Sequence, residues 1–417
     1  KGGSYEDAGA AWLDADQDGD LDLYVSSGNA YFQDGHSSLK DRLYLQEEGQ
    51  FYLANDRIPD IRSFTQEVIA TDYDQDGDSD LLVLGRVDGR FFTSSPRSYL
   101  LQNNDGKFTD VSADCLPNGG LLGAVSGAAQ SDLNGDGPKE IILAGEWERI
   151  TVLSWNGSRF EKGDLHQSLP DLTGWWQSVK VSDVNQDGWP DILAGNIGTN
   201  NPFSEKTPLQ LHVQDIDGNG VAERIVGWHM LNTEGQRQLY PIASRDALGE
   251  QVPLLKRKFK DYEAYAQARL GQLLGEVETQ SEVYEVDFLK SIVLYNLQGK
   301  GWKTEVLPWE AQLGPVHDFL VEDFDEDGKI DLMCIGNNEK LLVELGWNNS
   351  FAGALLNNTG QGFVAVPNRE VGLYVTTQAR KAVKLGPKAY FVANYGDSLY
   401  HLSWQKTESP SLSDPVP

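Results

Sequence analysis

Short apolar runs flank six polar, acid-rich segments along this chain. Runs such as A-A-W-L, V-I-A-T, V-K-V-S and F-L-V-E precede these segments, and L-Y-V, L-L-V, I-I-L, I-L-A and L-M-C follow them. Short apolar runs bounded by turn residues are typical of buried β-strands. The pattern therefore predicts a strand, a polar loop and a second strand at each copy.

The six polar segments, which we call the acidic loops, share a nine-residue pattern. Oxygen-bearing side chains occupy positions 1, 3, 5 and 9, and glycine occupies position 6. The residues at positions 1, 3, 5, 7 and 9 are Asp14, Asp16, Asp18, Asp20 and Asp22; Asp72, Asp74, Asp76, Asp78 and Asp80; Asp132, Asn134, Asp136, Pro138 and Glu140; Asp183, Asn185, Asp187, Trp189 and Asp191; Asp215, Asp217, Asn219, Val221 and Glu223; and Asp323, Asp325, Asp327, Lys329 and Asp331.

This spacing predicts calcium binding. Calcium takes six to eight oxygen ligands, and alternate residues of a short loop can point at one ion. Glycine at position 6 suits a positive φ. Position 7 shares no side-chain chemistry, so its ligand would be the backbone carbonyl, and the carboxylate at position 9 would close the shell in bidentate fashion. Ordinary Asp-Gly hairpin turns are the alternative, but they do not need acids at alternate positions. We expect about six structural Ca²⁺ ions.

The repeat spacing predicts a β-propeller. The first four acidic loops begin 51–60 residues apart, and each is followed by a further pair of strand patterns. Units of this size with four strands each are typical of propeller blades. We therefore predict an all-β, seven-bladed propeller over residues 1–405 and a linker or disordered tail over 406–417.

The interval from Asp183 to Asp323 is too long for one blade. We assign the loop at Asp215 to the outer hairpin of the fourth blade. The fifth blade would lack a metal site and end with S-I-V-L-Y-N-L and W-K-T-E-V-L-P. The sixth would carry the loop at Asp323, and a seventh, ending L-Y-H-L-S-W, has strand patterns without acids.

A helical insertion is predicted at about residues 253–275, within the fifth blade. One face would carry Leu255, Phe259, Tyr262, Ala266 and Leu270 at three- or four-residue spacing, after a basic start. This helix would pack on the rim of the propeller or serve as a docking element for a partner.

The chain resembles the FG-GAP or VCBS repeats of integrin-alpha-type β-propellers. More narrowly, it is similar to long bacterial surface proteins related to cartilage acidic protein, on segments that include P-R-S-Y-L-L-Q-N-N-D-G-K-F-T-D-V, A-G-E-W, G-W-W-Q-S-V, A-G-N-I-G-T-N and L-K-R-K-F-K-D-Y-E-A-Y-A. The resemblance implies a secreted or surface-displayed, calcium-loaded binding module, often part of a longer chain. Blades five and seven depart from it by lacking the acids.

Composition limits the cellular compartment and the classes of binding partner that we expect. A net charge of −29 disfavours nucleic acid and anionic membrane surfaces. No apolar run is long enough to span a membrane. Extracellular calcium fills even weak sites, whereas cytosolic calcium does not, which favours export. The two cysteines, Cys115 in an inter-blade loop and Cys334 in a central strand, are expected to remain free thiols.

Two classes of function remain open. The first is a binding or scaffold module for a protein partner at the cell surface, for example a bacterial outer-membrane surface. The second is a carbohydrate-binding propeller, suggested by eleven tryptophans, among them Trp147, Trp155, Trp228 and Trp347 near strand ends. No zinc motif, nucleophile elbow or phosphate loop is found, so a glycan-active lyase or hydrolase is the less favoured reading.

Overall fold

The computed structural model describes residues 5, 7–28, 32, 34–87, 96–203, 206–219, 222–275, 281–342 and 346–404. For residues 87, 339–342 and 346–348 it describes the backbone alone. The fold is all-β, as predicted, and its sheets are antiparallel apart from one isolated parallel bridge. None of the described helices combines the length and the apolar character that a membrane crossing requires.

Six sheets follow one another along the chain, and in each the strands run mainly in chain order. The first contains β1 (Asp7–Leu13), β2 (Asp22–Ser27), β3 (Arg42–Glu47) and β4 (Gln50–Leu53); the second contains β5 (Phe64–Thr71), β6 (Asp80–Val87), β7 (Tyr99–Asn104) and β8 (Lys107–Asp110); the third contains β9 (Val125–Ser131), β10 (Glu140–Arg149), β11 (Thr151–Trp155), β12 (Phe160–Glu161) and β13 (Thr173–Trp175).

The remaining three sheets of this series are interrupted by insertions. The fourth contains β14 (Ser178–Ser182), β15 (Asp191–Gly195), β20 (Ile292–Asn296) and β21 (Trp302–Val306); the fifth contains β22 (Val316–Glu322), β23 (Asp331–Gly336), β26 (Ala354–Asn358) and β27 (Phe363–Val366), with the hairpin β24 (Asn338–Leu342) and β25 (Gly346–Asn348); the sixth contains β28 (Ala379–Gly386), β29 (Ala389–Asn394) and β30 (Tyr400–Ser403).

Neighbouring sheets pack face to face, and the first strand of each sheet lies against the first strand of the next. The contacts run from β1 to β5, β9, β14, β22 and β28. Five apolar clusters fill the five junctions; in the first, for example, Leu13 and Tyr24 of one sheet meet Val83 and Leu101 of the next. Alternating side chains on both faces of each sheet therefore form the core.

The prediction of a separate fifth blade is wrong, because its predicted strands belong to the fourth sheet. The patterns S-I-V-L-Y-N-L and W-K-T-E-V-L-P form β20 and β21, and these strands complete the fourth sheet by pairing β20 with β15. Residues between β15 and β20 form a separate inserted sheet, whose strands are β16 (Leu209–Gln214), β17 (Glu223–Leu231), β18 (Arg237–Pro241) and β19 (Glu282–Val286). Strand patterns indicate which segments form β-strands, but they do not indicate which strands pair. The partner of β20 is β15, almost a hundred residues earlier, and only tertiary packing selects it.

The predicted insertion helix is a set of short helices instead. They are α3 (Arg245–Gln251), α4 (Pro253–Lys258), α5 (Tyr262–Ala266) and α6 (Leu270–Leu274), while α1 (Ser112–Cys115), α2 (Asp164–Gln167) and α7 (Asn368–Val371) lie elsewhere, with 3₁₀ turns at Ser37–Leu39, Pro117–Gly120 and Trp309–Gln312.

The breaks in the insertion change which residues face its core. Asp261 caps α5 by accepting a hydrogen bond from the N–H of Ala264, which starts a new helix there. As a result Tyr265 and Ala268 are buried, whereas Tyr262 is exposed. The helices pack on the inserted sheet and not on the rim of the six-sheet series.

Candidate metal centre

Every acidic loop joins a first strand to a second strand. Five of them connect β1 to β2, β5 to β6, β9 to β10, β14 to β15 and β22 to β23. The loop at Asp215 connects β16 to β17, so its predicted place on the outer hairpin of the fourth sheet is wrong. Five loops therefore occupy equivalent positions in consecutive sheets, and the sixth belongs to the inserted sheet.

Backbone hydrogen bonds fold each loop around its own acids. In five loops the carboxylate at position 1 accepts a hydrogen bond from the N–H of the position 6 glycine, at N–O distances of 2.8–3.3 Å. These glycines have φ between 89° and 104°. An added Cβ would meet nothing within 4 Å, so the left-handed backbone alone requires glycine. Gly220 and Val221 of the sixth loop lie outside the described residues.

Position 4 is left-handed as well, a feature that the sequence pattern did not reveal. Gln17, Gln75, Gln186 and Glu326 occupy it with φ of 59–63°. The side chain at this position can reach the following sheet, because Gln186 Nε2 donates to the carbonyl of Gly328, 3.1 Å away. Two loops carry glycine there, and that is the only hint available from sequence.

Carboxylate oxygens converge in three of the loops. Ligand atoms within 4.8 Å of one another come from Asp14, Asp16 and Asp18; from Asp72, Asp74 and Asp80; and from Asp323, Asp325 and Asp331. In the third and fourth loops an asparagine lies among the acids, and its amide donates to a carboxylate. Lys329 pairs its ammonium with Asp327.

The residues present fit a calcium ion. The Oδ1 atoms of Asp14, Asp16, Asp74 and Asp78 are shielded from solvent and have no hydrogen-bond partner. Buried carboxylate oxygens without a partner are costly, and a hard cation is the group that such oxygens accept. The Asp14 and Asp72 loops are thus the best-formed candidate sites among the described residues.

The acid at position 9 also holds the loop to the sheet. It is buried in all six loops. One of its oxygens accepts the N–H of position 2, at 2.8–3.3 Å. In four loops the other oxygen accepts an N–H from the third strand of the same sheet, at 2.8–2.9 Å. Each oxygen keeps a lone pair, so this residue can both fix the loop and bind a metal.

In the absence of a metal ion, burial raises the pKa of the acids at position 9. The pKa of Asp80 rises to about 7 and that of Asp191 to about 6, mainly through burial and further through neighbouring acids, while backbone N–H groups lower it. Burial followed by Asp76 raises the pKa of Asp78 to about 6. A divalent cation would reverse this penalty by compensating the negative charge.

A second contact, which recurs at three junctions and which the sequence analysis did not predict, joins neighbouring sheets beside the loops. The amides of Asn103, Asn296 and Asn358, on the third strands, each donate to the position 2 carbonyl of the preceding loop, at 2.8–2.9 Å. Each also donates to the position 8 carbonyl of its own loop, at 3.1–3.2 Å. The signal in the sequence is asparagine at the end of a third strand, as in Q-N-N-D-G.

Tryptophan replaces this asparagine at two junctions. Trp155 packs on Tyr73, and Trp404 packs on Phe324, each with ring centroids 4.8 Å apart. Both partners occupy position 2 of the preceding loop. An aliphatic residue at position 2 thus goes with an asparagine in the next sheet, and an aromatic residue goes with a tryptophan.

The sixth sheet is formed by the segment that the sequence analysis assigned to a seventh blade, and it carries no acidic loop. Its first and second strands join through a tight turn in which Lys388 has φ of 59°. The ammonium of Lys388 pairs with the carboxylate of Glu326, at position 4 of the preceding loop. An ion pair therefore connects the fifth and sixth sheets at the level where acidic loops lie in the other sheets.

The tryptophans considered for sugar binding differ in their exposure. Trp147, Trp175 and Trp176 are buried between sheets. Trp228 is half-buried and, with Tyr240, lines a cavity of about 550 Å³ at the edge of the inserted sheet. The side chain of Trp347 lies outside the described residues. Both cysteines are free, with Cys334 buried in β23, as predicted.

Comparison with solved structures gives distant similarity. A biofilm matrix protein of V. cholerae, Bap1, is 12% identical with a TM-score of 0.28, over 98% of this chain and 89% of that chain. MPT-4, a mannose phosphorylase from Leishmania mexicana solved with a phosphate ion, is 9% identical with a TM-score of 0.27, over 87% and 88%. No curated protein sequence matches this chain.

Comparison with protein families identifies the repeats. The FG-GAP-like repeat matches residues 14–83 and 132–194. The first stretch contains the acidic loops of the first and second sheets, and the second contains those of the third and fourth. The chain therefore contains FG-GAP-like repeats, as its acidic loops predicted.

Proposed function

We propose that this chain is a calcium-loaded, extracellular or cell-surface binding module for protein partners. The FG-GAP-like repeats and the oxygen clusters of the acidic loops support this proposal. In it the six consecutive sheets are blades of a propeller. The ions stiffen the connections between blades, and the exposed faces and insertions bind the partner. The proposed module has no catalytic role.

One observation carries the calcium assignment. Solvent-shielded, unpartnered oxygens occur at ligand positions in the loops at Asp14 and Asp72. Hydrogen bonds within the loops hold these oxygens on the inner side and leave them without a donor. Such an arrangement stabilises the fold only when a cation is bound.

Calorimetric titration of the metal-free protein tests this assignment. We expect several Ca²⁺ ions to bind, and Asp16→Asn to weaken or remove one of them. Asp114→Asn is the matched control, since Asp114 is exposed and lies outside every loop. If Ca²⁺ binds no more tightly than Mg²⁺, or if both variants behave alike, the loops are not calcium sites.

The cavity at the inserted sheet favours a second candidate, glycan binding. Trp228 and Tyr240 are cross-strand neighbours on one face of β17 and β18. Asn232, Glu234 and Gln267 line the same cavity and offer hydrogen-bonding groups. Aromatic platforms flanked by such groups suit sugar rings, and the volume lies in the range of small-ligand sites.

A glycan array separates the two candidates. Binding that Tyr240→Leu abolishes and Trp309→Leu preserves would support the sugar site, because Trp309 is 67% exposed and lies elsewhere. Trp228 also packs against Phe203, so its replacement is a less clean test. An array without signal leaves the protein-binding module as the sole candidate.

A further inference from the structure

The first strands of five of the six sheets contain a β-bulge near one end. The bulged residues, which have no partner on the second strand, are Ala8, Gln66, Ser126, His317 and Arg380. Each bulge lies at the end of its strand away from the acidic loop or, in the sixth sheet, away from the turn at Lys388. The first strands pack side by side, so the bulges share one end of the series. Bulges redirect side chains and are frequent beside functional sites.

Three basic residues occupy bulges at this end, and we call them the basic cluster. His317 and Arg380 belong to the neighbouring first strands β22 and β28, and Arg86 occupies a second bulge of the second sheet, on β6. Burial, followed by Arg380 and Arg86, lowers the pKa of His317 well below its usual value. Burial, followed by Arg86, lowers the pKa of Arg380 to about 10. The three side chains therefore lie close enough to disfavour one another's positive charge.

Arg380 is held in position by neutral groups. Its Nη1 donates to the carbonyl of Asn337, 2.7 Å away, and its Cζ lies 5.8 Å from the centroid of the Tyr395 ring. Its longer contacts, at 3.5 Å, are to oxygen atoms of Ala379 and Gln378. Within the described part of the chain, none of these partners is a carboxylate. A guanidinium fixed in this way can bind an oxyanion through two parallel N–H groups.

The carboxylate that pairs with the cluster is that of Glu146. Its Oε1 accepts a hydrogen bond from Nη2 of Arg86 at 2.5 Å, and the Arg86 side chain is only 17% exposed. Burial lowers the pKa of Arg224, and Glu146 opposes that shift, so one acid serves two arginines. The charge of Arg380 is left for a further anion, in a chain whose net charge is −29. A monoanion compensates it, whereas a dianion would add repulsion beside Glu146.

His317 offers a hydrogen-bond acceptor next to these cations. Burial and the two arginines keep the imidazole neutral by lowering its pKa, against a hydrogen bond to the backbone of Asn337 that raises it. Its Nε2 is shielded from solvent and has no partner among the described residues. The backbone contact therefore belongs to Nδ1–H, which leaves a lone pair on Nε2. A hydroxyl group is a donor that this atom can accept.

We propose that Arg86, His317 and Arg380 form a binding site for a small hydroxy acid. The carboxylate of the ligand pairs with Arg380 and is attracted by Arg86, and its hydroxyl donates to Nε2 of His317. The low exposure of Arg86 selects a small molecule over a protein surface. The site lies opposite to the acidic loops and shares no residue with the cavity of the inserted sheet. The inference thus goes beyond the proposed function and does not depend on calcium binding.

Acetate and glycolate are the probes, because they differ by one hydroxyl group and both are anions at neutral pH. Each is added to the 417-residue protein in saturating Ca²⁺ and a carboxylate-free buffer, and binding is followed by saturation-transfer NMR. Glycolate should bind saturably and about threefold or more tighter than acetate, since only its hydroxyl reaches His317. Arg380→Gln should weaken both about tenfold. His317→Phe should reduce the affinity for glycolate to that for acetate.

Arg237→Gln is the matched control and should leave both affinities unchanged, since Arg237 is exposed and lies on the inserted sheet. Absence of saturable binding, or equal binding by the wild type and Arg380→Gln, would overturn the proposal. Tighter binding of phosphate than of glycolate would contradict the carboxylate. Equal affinities of the wild type for acetate and glycolate would contradict the role of His317.

A charge-preserving variant keeps the test decisive if a substitution disturbs folding. Arg380→Lys retains the positive charge but lacks the planar fork, so its affinity for glycolate should lie between those of the wild type and Arg380→Gln. Melting temperatures without added anion show whether each variant is folded. Calcium titration of the same variants should be normal, so a failure here remains distinct from a failure of the calcium assignment.

Discussion

The junction between the fourth and fifth sheets and the junction between the fifth and sixth use the same two loop positions in different ways. At the first, the position 2 carbonyl of Val184 accepts a hydrogen bond from Asn358, and Gln186 at position 4 donates to the next acidic loop. At the second, Phe324 at position 2 packs on Trp404, and Glu326 at position 4 pairs with Lys388.

The difference at position 4 follows from what stands in the next sheet. Gln186 donates to a backbone carbonyl of the next acidic loop, whereas Glu326 pairs with the ammonium group of the turn at Lys388. The contact at position 2 goes with the residue type there, because Tyr73 and Trp155 also pack together between two sheets that both carry acidic loops. We call the junction between the fourth and fifth sheets the metal junction and the junction between the fifth and sixth sheets the lysine junction. The first should depend on calcium, and the second should not.

Chelation should separate the two junctions most strongly. A site filled at a hundredfold excess over its dissociation constant adds about 2.7 kcal/mol, so emptying several should lower the melting temperature on the order of 10 °C. Hydrogen exchange in EDTA should accelerate in β14, β15, β22 and β23 more than in β28 and β29. Equal acceleration throughout would show that the lysine junction also depends on the metal.

Loss of a bridging asparagine should have the next largest effect. Asn103→Ala leaves two buried carbonyls and the N–H of Gly106 without their partner, at a cost of about 2–3 kcal/mol in urea unfolding. Asn104→Ala is the matched control, since its side chain is exposed, and should change stability by less than about 0.5 kcal/mol. Similar losses of unfolding free energy in both variants would show that the Asn103 side chain does not stabilise the junction.

Removal of one proposed ligand should act only when calcium is present. Asp325→Ala should bind one ion fewer and lose about 2 kcal/mol in saturating Ca²⁺. In EDTA the same variant should match or exceed the wild type, because a like charge has been removed from the loop. A loss of equal size in both buffers would assign Asp325 a structural role without metal.

Loss of the lysine pair should have the smallest effect. Lys388→Met breaks an ion pair whose two side chains are each 43% exposed, and such pairs contribute about 0.2–1 kcal/mol. The loss should be the same with and without Ca²⁺ and should shrink in high salt. A calcium-dependent loss would contradict the distinction between the junctions.

Much of the local structure could be predicted from the sequence, because it is dictated by neighbouring residues. The strand pairs around each acidic loop, the glycine at position 6 and the acids on its inner side all follow from spacing within nine residues. The left-handed position 4 was missed because glutamine and glutamate rarely adopt it, and only the closed loop imposes it. The bridging role of the asparagines was missed, since the position 2 carbonyls that they bind lie in another sheet.

Assignments that depended on distant pairing were the ones that failed. The apolar patterns of β20 and β21 were placed in a fifth blade, whereas they return to β15 across the inserted sheet. The loop at Asp215 was assigned to an outer hairpin for the same reason. The spacing at residues 253–275 correctly predicted helical structure, but not a single helix. Asp261 caps a new helix, so Tyr265 is buried there.

By itself the sequence determined the chemistry of the loops and the all-β class. Both arise from short-range rules, namely oxygen atoms at alternate positions and apolar residues at strand spacing. Tertiary structure alone decided which strands share a sheet and which residues join one sheet to the next. Those features depend on side chains that are far apart along the chain, and only burial of their apolar surface brings them together.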